Sequence, residues 1–277
     1  MKQNDLPNIF VIGNEKGGAG KTTFCMHLIT GLMDKGYKVV SIDTDSRQRS
    51  LTNYVENREV YNQKNPHHKV LMPMHFHMDA SKENSIEERE ISEKQRFEQI
   101  LEQVKAEANY IIIDTPGSYS YLSKLAHSYA DTIITPINDS FLDFDVMAKV
   151  NPDNLAIVSP SIYSQMIWEQ KMQRATRDQG SIEWVVVRNR LSNLDAQNKR
   201  NVNLALEQLA KRISFKIAPG FSERVIFREL FLQGLTLIDL TKANYDKVFS
   251  ISHVAARQEL RDFFDCLGIN ERGSSAE

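Results

Sequence analysis

Apolar residues fall into six short, nearly continuous runs, at 8–13, 38–42, 110–114, 132–137, 184–187 and 214–217. Runs of this length, rich in Ile and Val, predict strands buried on both faces. Between them apolar positions recur at helical spacing. Phe24, Leu28, Ile29 and Leu32 mark one helix; Phe97, Ile100, Leu101 and Val104 mark another, which Ser92 is placed to cap. Strands alternating with helices predict an α/β fold, with a mostly parallel, doubly wound central sheet flanked by helices. No linker, repeat or second core breaks the pattern. Residues 1–268 therefore read as a single domain, and the polar end, 269–277, as a disordered tail. The stretch 61–96 is the least regular. It reads as a peripheral strand over 70–78 followed by a solvated charged loop around Glu87, Glu88 and Glu90. Its histidines (His67, His68, His75, His77) lack a settled ligand spacing and any cysteine, so no metal is expected there.

The first apolar run leads directly into Lys16-Gly17-Gly18-Ala19-Gly20-Lys21-Thr22-Thr23. A buried strand, a glycine-rich turn and then a helix form the context in which backbone N–H groups close around phosphate oxygens, helped by the positive end of the helix. Gly17, Gly18, Ala19, Gly20 and Thr23 are read as the cradle of this P-loop. Lys21 is placed to reach the outer phosphates, and Thr22 to ligate Mg²⁺. The ordinary motif has a glycine where this chain has Glu15, and a second lysine, Lys16, stands at the mouth of the loop. The run Ile111-Ile112-Ile113-Asp114 ends in a carboxylate that can hold Mg²⁺ through water. Asp45, in Asp43-Thr44-Asp45, can orient an attacking water, while Asp43 suits helix capping. Asn189 can pair with an adenine edge as both donor and acceptor. The turn around Pro219 is placed to complete that pocket.

At 277 residues, a net charge of −2 excludes a chain-wide electrostatic affinity for nucleic acid. The charge is nevertheless uneven. Between residues 188 and 228, nine basic residues (Arg188, Arg190, Lys199, Arg200, Lys211, Arg212, Lys216, Arg224, Arg228) face three acidic ones (Asp195, Glu207, Glu223). Lys199, Arg200, Arg212, Arg224 and Arg228 are the candidates for a DNA-backbone patch. Cys25 and Cys266 lack CxxC spacing, which suits a reducing compartment. No run approaches 18 apolar residues and no signal peptide is evident, so a soluble, cytoplasmic protein is expected.

The spacing KGGAGKT resembles the deviant P-loop of the ParA/MinD family of ATPases. The stretches GNEKGGAGKTT, IDTDSRQR, IIIDTPG, PINDSFLDFD, WVVVRNRL, RVIFRELFLQGLTL and HVAARQELR carry the resemblance from residue 8 to about 268. In this order they look like the members of that family that position the division plane. The resemblance implies an ATP-bound homodimer in which Lys16 contacts nucleotide across the interface. It also implies a water-positioning role for Asp45 and a base-binding role for Asn189. Slow hydrolysis, non-specific binding to nucleoid DNA, inhibition of FtsZ assembly and polar interaction with ParB are further implications. A partitioning ATPase of the ParA type is the alternative. A membrane-cycling MinD-like switch would need a basic amphipathic C-terminal helix, and residues 255–269 are balanced in charge.

Overall fold

A computed structural model describes residues 6–139, 141–151, 157–191, 196–241 and 251–269. In chain order the elements are β1 (Asn8–Ile12), α1 (Lys21–Asp34), β2 (Val39–Asp43), α2 (Ser50–Lys64), β3 (Met74–His77), α3 (Ile86–Val104), β4 (Tyr110–Asp114), α4 (Tyr121–Tyr129), β5 (Thr132–Asn138), α5 (Phe141–Phe144), β6 (Ala148–Val150), β7 (Ile157–Pro160), α6 (Ile162–Asp178), β8 (Glu183–Asn189), α7 (Ala196–Ile213), β9 (Lys216–Ala218), α8 (Ile226–Leu232) and α9 (Ile251–Cys266). Seven strands form one sheet in the order β3-β2-β4-β1-β5-β8-β9, every pairing parallel. β6 and β7 form a separate antiparallel ribbon. The chain winds from β1 towards β3, returns through β4 and then builds outward from β5. The loops at the carboxyl ends of β1, β4 and β5 thus meet where an open α/β sheet places its ligand crevice.

Alternate residues of each strand feed opposite cores, which explains why the sequence runs read as continuously apolar. Val11, Ile111, Ile113, Ile133 and Val186 pack under α3, α4, α6 and α7. Phe10, Ile12, Ile112, Ile134, Val185 and Val187 pack under α1, α2 and α9. A smaller cluster, including Tyr61, Leu230, Leu235, Leu237 and Ala256, joins α2, α8 and α9. Ile269 is buried in the second core, and residues 270–277 of the expected tail lie outside the described residues.

Four expectations about the elements require correction. Ser92 lies inside α3; the cap is Ser85, whose side chain accepts from Glu88 N while Glu88 reaches back to Ser85 N. Ser85-x-x-Glu88 is a capping box, and it begins the helix seven residues earlier. Glu87 and Glu88 therefore sit in the first turn of a helix, where the helix dipole favours them, and not in a loop. The expected strand at 70–78 is confined to Met74–His77, and the one at 214–217 shifts to Lys216–Ala218. Ser214 adopts φ 56°, the left-handed conformation that ends α7 before β9 can start. Of the four histidines, His67 and His68 are exposed, whereas His75 and His77 are partly buried. His75 bonds Ser41 Oγ at 2.8 Å and Thr52 Oγ1 at 3.0 Å, and burial lowers its pKa to about 4. Among the described residues no group of three or more potential ligands is placed to hold a metal.

Candidate nucleotide site

β1 delivers the glycine loop to the carboxyl edge of the sheet, and Gly20 (φ 93°) turns it into the first turn of α1. A side chain at Gly20 would meet strain and would also strike the amide of Asn189. Asn189 Nδ2 donates to Ala19 O at 2.9 Å, so the end of β8 is tied to the loop. At the other end of the loop, Gly13 packs against the His127 ring and the Tyr163 hydroxyl, leaving no room for a Cβ. A cleft of about 390 Å³ opens over the loop, lined by Gly17, Gly18, Gly20, Lys21, Thr22, Thr23, Asp45 and Asp114. Lys21 Nζ donates to Lys16 O at 3.3 Å. Burial lowers the Lys21 pKa, against the pull of Asp114, Cys25 and Asp45. The Asp45 carboxylate is held by Arg47 N at 3.1 Å and Gln48 N at 3.0 Å. Asp43 accepts from Thr52 N and Thr52 Oγ1, both at 2.9 Å, so it fixes the start of α2, as expected of a capping carboxylate.

Asp114 ends β4 directly behind the loop. Its Oδ2 accepts from Thr22 Oγ1 at 2.7 Å, while its buried Oδ1 meets no N–H or O–H donor. Burial, reinforced by Asp43, raises its pKa to about 7. A buried carboxylate with an unpartnered oxygen beside a threonine hydroxyl fits a hydrated Mg²⁺. Thr22 and Asp114 would hold that ion, Asp114 through water.

Lys16 is ion-paired with Asp143 on α5, and Asp143 Oδ2 also accepts from Asn138 N at 3.0 Å. The lysine at the loop mouth thus lies over its own subunit, on a buried carboxylate that the sequence reading did not single out.

A second cleft, also of about 390 Å³, adjoins the first. Gly20, Thr23 and Phe231 line both. Its walls include Phe24, Phe221, Phe227, Leu260 and Phe263, with Asn189 at the inner end. An apolar slot beside a phosphate cradle, with one amide inside it, suits a planar base. Pro219 is exposed and does not line it; Phe221 and Ser222 take that place. α8 carries Phe227 and Phe231 and is clamped from below. Arg58, fully buried on α2, makes a two-bond pair with Asp239 at 2.7 Å each and donates to Gly234 O at 2.9 Å. Tyr54 Oη donates to Leu235 O at 2.5 Å. These residues lie more than 170 positions apart in the chain, and no local pattern pairs them.

Several of the basic candidates are held in ion pairs or hydrogen bonds. Arg188 is buried and paired with Asp139 and Asn203. Arg224 is held by Glu259 at 2.5 Å, and Lys216 lies 3.7 Å from Glu183. Arg228 projects with its side chain 72% exposed, 3.3 Å from Glu223. Asp139, Glu183 and Glu259 all come from outside residues 188–228, so the local count overstated the free charge. Arg224 and Arg228 rim the apolar cleft. Arg212 lies near the far end of α7, about 20 Å along the helix axis from Lys199. Lys199 and Arg200 are on α7, and their side chains lie outside the described residues.

The MipZ family model, described as ATPase MipZ, matches residues 8–271. The septum site-determining protein MinD of Helicobacter pylori is 27% identical over 150 residues, covering 50% of this chain and 56% of that protein. The sporulation initiation inhibitor protein Soj of Bacillus subtilis is 25% identical over 164 residues, covering 52% and 64%. The matched stretch thus spans a little over half the length of these curated relatives. Among solved structures, apo McdA from Cyanothece has a TM-score of 0.63 at 19% identity, covering 94% of this chain and 99% of that one. MinD from Pyrococcus horikoshii, complexed with Mg-ADP, has a TM-score of 0.59 at 15% identity, covering 97% and 100%. At these identities the structural likeness establishes the fold. No helix among the described residues is long and apolar enough to cross a membrane.

Proposed function

The chain belongs to the MipZ family of ATPases, and we propose that it works as an ATP-dependent dimerising switch that positions the cell division plane. The observation that carries this reading is the pair of lysines in one loop, Lys21 facing the cradle and Lys16 at its mouth. Backbone N–H groups from Gly17 to Thr22 receive the phosphates, and Lys21 moves from the Lys16 carbonyl to the outer ones. Asn189 and the phenylalanine slot hold the base. Bound Mg²⁺ neutralises charge on the outer phosphates. Asp45, fixed by its own turn, orients the attacking water; phosphoryl transfer needs chiefly such positioning. Lys16 leaves Asp143 for the phosphates of a second subunit, so dimerisation follows ATP by mass action. Hydrolysis removes the γ-phosphate contacts and releases the dimer.

In this reading the dimer brings two sets of exposed cations, Arg228 foremost, to one nucleoid surface. Phosphate contacts on both subunits then raise a weak affinity for DNA. FtsZ is the target whose assembly the dimer inhibits, and ParB the partner of the monomer. The deciding experiment is sedimentation of FtsZ polymers with this protein under ATP and under ADP. Loss of polymer under ATP alone, abolished by Lys16→Ala together with the ATP dimer seen in ultracentrifugation, is the expected result. Polymer unaffected in both nucleotides would instead support a partitioning role. A Lys16→Ala protein that dimerises normally with ATP would remove the cross-subunit lysine.

A further inference from the structure

Both tryptophans of the chain line a single cleft of about 560 Å³ between α6 and α7, on the face of the sheet opposite α1. Trp184 forms its buried floor, and its indole N–H donates to Thr135 Oγ1 at 3.0 Å. Trp168 stands on its rim, 65% exposed. An exposed tryptophan is unusual in a soluble surface and frequent as a binding anchor. It is not isolated here. Ile162 and Met172 on α6, Val158 on β7 and Leu204 on α7 are also exposed. Within the cleft, Pro160, Ile167 and Ile213 stand beside the two tryptophans, an apolar strip of the kind that marks a docking site.

The charge around the strip specifies the occupant. Lys171 is half-buried, its Nζ 5.9 Å from the Trp184 ring centre and 3.3 Å from Ser214 O. Arg212 Nη1 donates to Ile157 O at 2.6 Å. Among the described residues neither cation has a carboxylate within ion-pairing distance, in contrast to Arg174, Arg177, Arg188 and Arg224. Burial lowers the Lys171 pKa, as for an ammonium ion desolvated without a counter-ion. A carboxylate arriving beside an apolar anchor would supply that counter-ion in a partly dry site, where a charge-assisted pair is strongest. Among the described residues Glu169 is the single acidic one lining the cleft, so an acidic visitor is favoured over a basic one.

We propose that the cleft between α6 and α7 docks an acidic amphipathic helix of a partner protein. An apolar side chain of that helix packs between Trp168 and Trp184, and its carboxylates pair with Lys171 and Arg212. The lining on α6 runs from Ser164 to Lys171, about 10 Å of helix, which matches two turns of a helical visitor laid in a groove.

Because both tryptophans are in the cleft, intrinsic fluorescence reads its occupancy directly. The probe is a synthetic amphipathic peptide of about 14 residues with leucines on one face and glutamates on its borders. Its control carries lysines in place of the glutamates. The glutamate peptide should shift the emission saturably, weaken with salt, and bind at least tenfold more weakly to Lys171→Met and to Arg212→Gln. Trp168→Ala, an exposed site whose loss leaves the core intact, should lose binding measured by peptide anisotropy while keeping nucleotide affinity. Equal binding of both peptides would overturn the charge argument, and binding of neither would overturn the site. Self-association of the protein without peptide, abolished by Trp168→Ala, would place a second copy in the cleft and also overturn the proposal.

Discussion

The two halves of the nucleotide site are built on opposite principles. The phosphate half is polar and local, being three short segments at the ends of β1, β2 and β4, and most of its donors are backbone N–H groups. The base half is apolar and dispersed. Its walls come from α1, the turn after β9, α8 and α9, and the segment bearing Phe231 is held by an ion pair between residues 58 and 239. Phosphate geometry is invariant, so a short loop with fixed dihedrals suffices. A flat base offers little directional chemistry, so the protein must shape a slot by packing.

Gly20 and Asn189 are where the halves touch, and Gly20→Ala should give the largest effect. The new Cβ meets the Asn189 amide, and φ 93° is a conformation alanine rarely adopts. Binding of a fluorescent ATP analogue should become undetectable, while the apo protein stays folded at a cost of about 1–3 kcal/mol in stability from the backbone strain. Retained nucleotide affinity would show that the two halves are independent.

Next comes the clamp under α8. Asp239→Ala leaves Arg58 charged in a fully buried position and should cost about 3–5 kcal/mol of stability, read from denaturant unfolding. The base half alone should loosen first. Hydrogen exchange should rise across α8 before it rises across α1, most of whose buried residues belong to the core against the sheet. Uniform loss of protection would mean that the site behaves as one unit.

This contrast also explains what could be read from the chain. The phosphate half was legible because its residues are contiguous and their types are constrained: Gly20 by its dihedral, Lys21 by reach, Asp114 by standing at a strand end. The fold class followed from runs whose alternate residues serve two cores, whereas the strand order depends on crossovers that no run specifies. Of the proposed base half only Asn189, the last residue of β8, is singled out by its place in the sequence. Pro219 was a natural choice in a turn, yet Phe221 two residues later faces the slot. The Asp143 berth of Lys16, the Glu259 partner of Arg224 and the Arg58–Asp239 pair depend on separations of 127, 35 and 181 residues. No pattern along the chain encodes those. The capping box at Ser85 was legible and was overlooked in favour of a serine nearer the apolar repeat.

A kinetic split sharpens the comparison further. Phe227→Ala removes an aromatic wall that lines the apolar slot alone and should weaken ATP by about 1–3 kcal/mol, the usual contribution of a base–aromatic stack, with kcat of the saturated enzyme nearly unchanged. Asp45→Ala should do the reverse, trapping an ATP dimer of normal affinity with little turnover. If both variants changed KM and kcat together, slot and cradle would not be separable functions.

The smallest expected effect is a pH dependence confined to the phosphate half. The folded pKa of Asp114, about 7, lies above its ordinary value of 3.8 because of burial and Asp43. The apo protein therefore loses stability as pH rises from about 4 to about 7, since ionisation is disfavoured in the fold. A cation at Thr22 and Asp114 needs the ionised form, so binding Mg²⁺ releases a proton. In the nucleotide complex, Mg²⁺ affinity should rise about fivefold from pH 6 to pH 7, reach about tenfold by pH 8 and level off above it. Titration calorimetry in buffers of different ionisation enthalpy would count the proton. The base half has its own buried titrating group in His27, whose pKa is lowered to about 4 by burial, so it stays neutral throughout that window. Affinity for the base should be flat across the range. A parallel pH dependence in nucleotide binding without Mg²⁺ would assign the proton to some group other than Asp114.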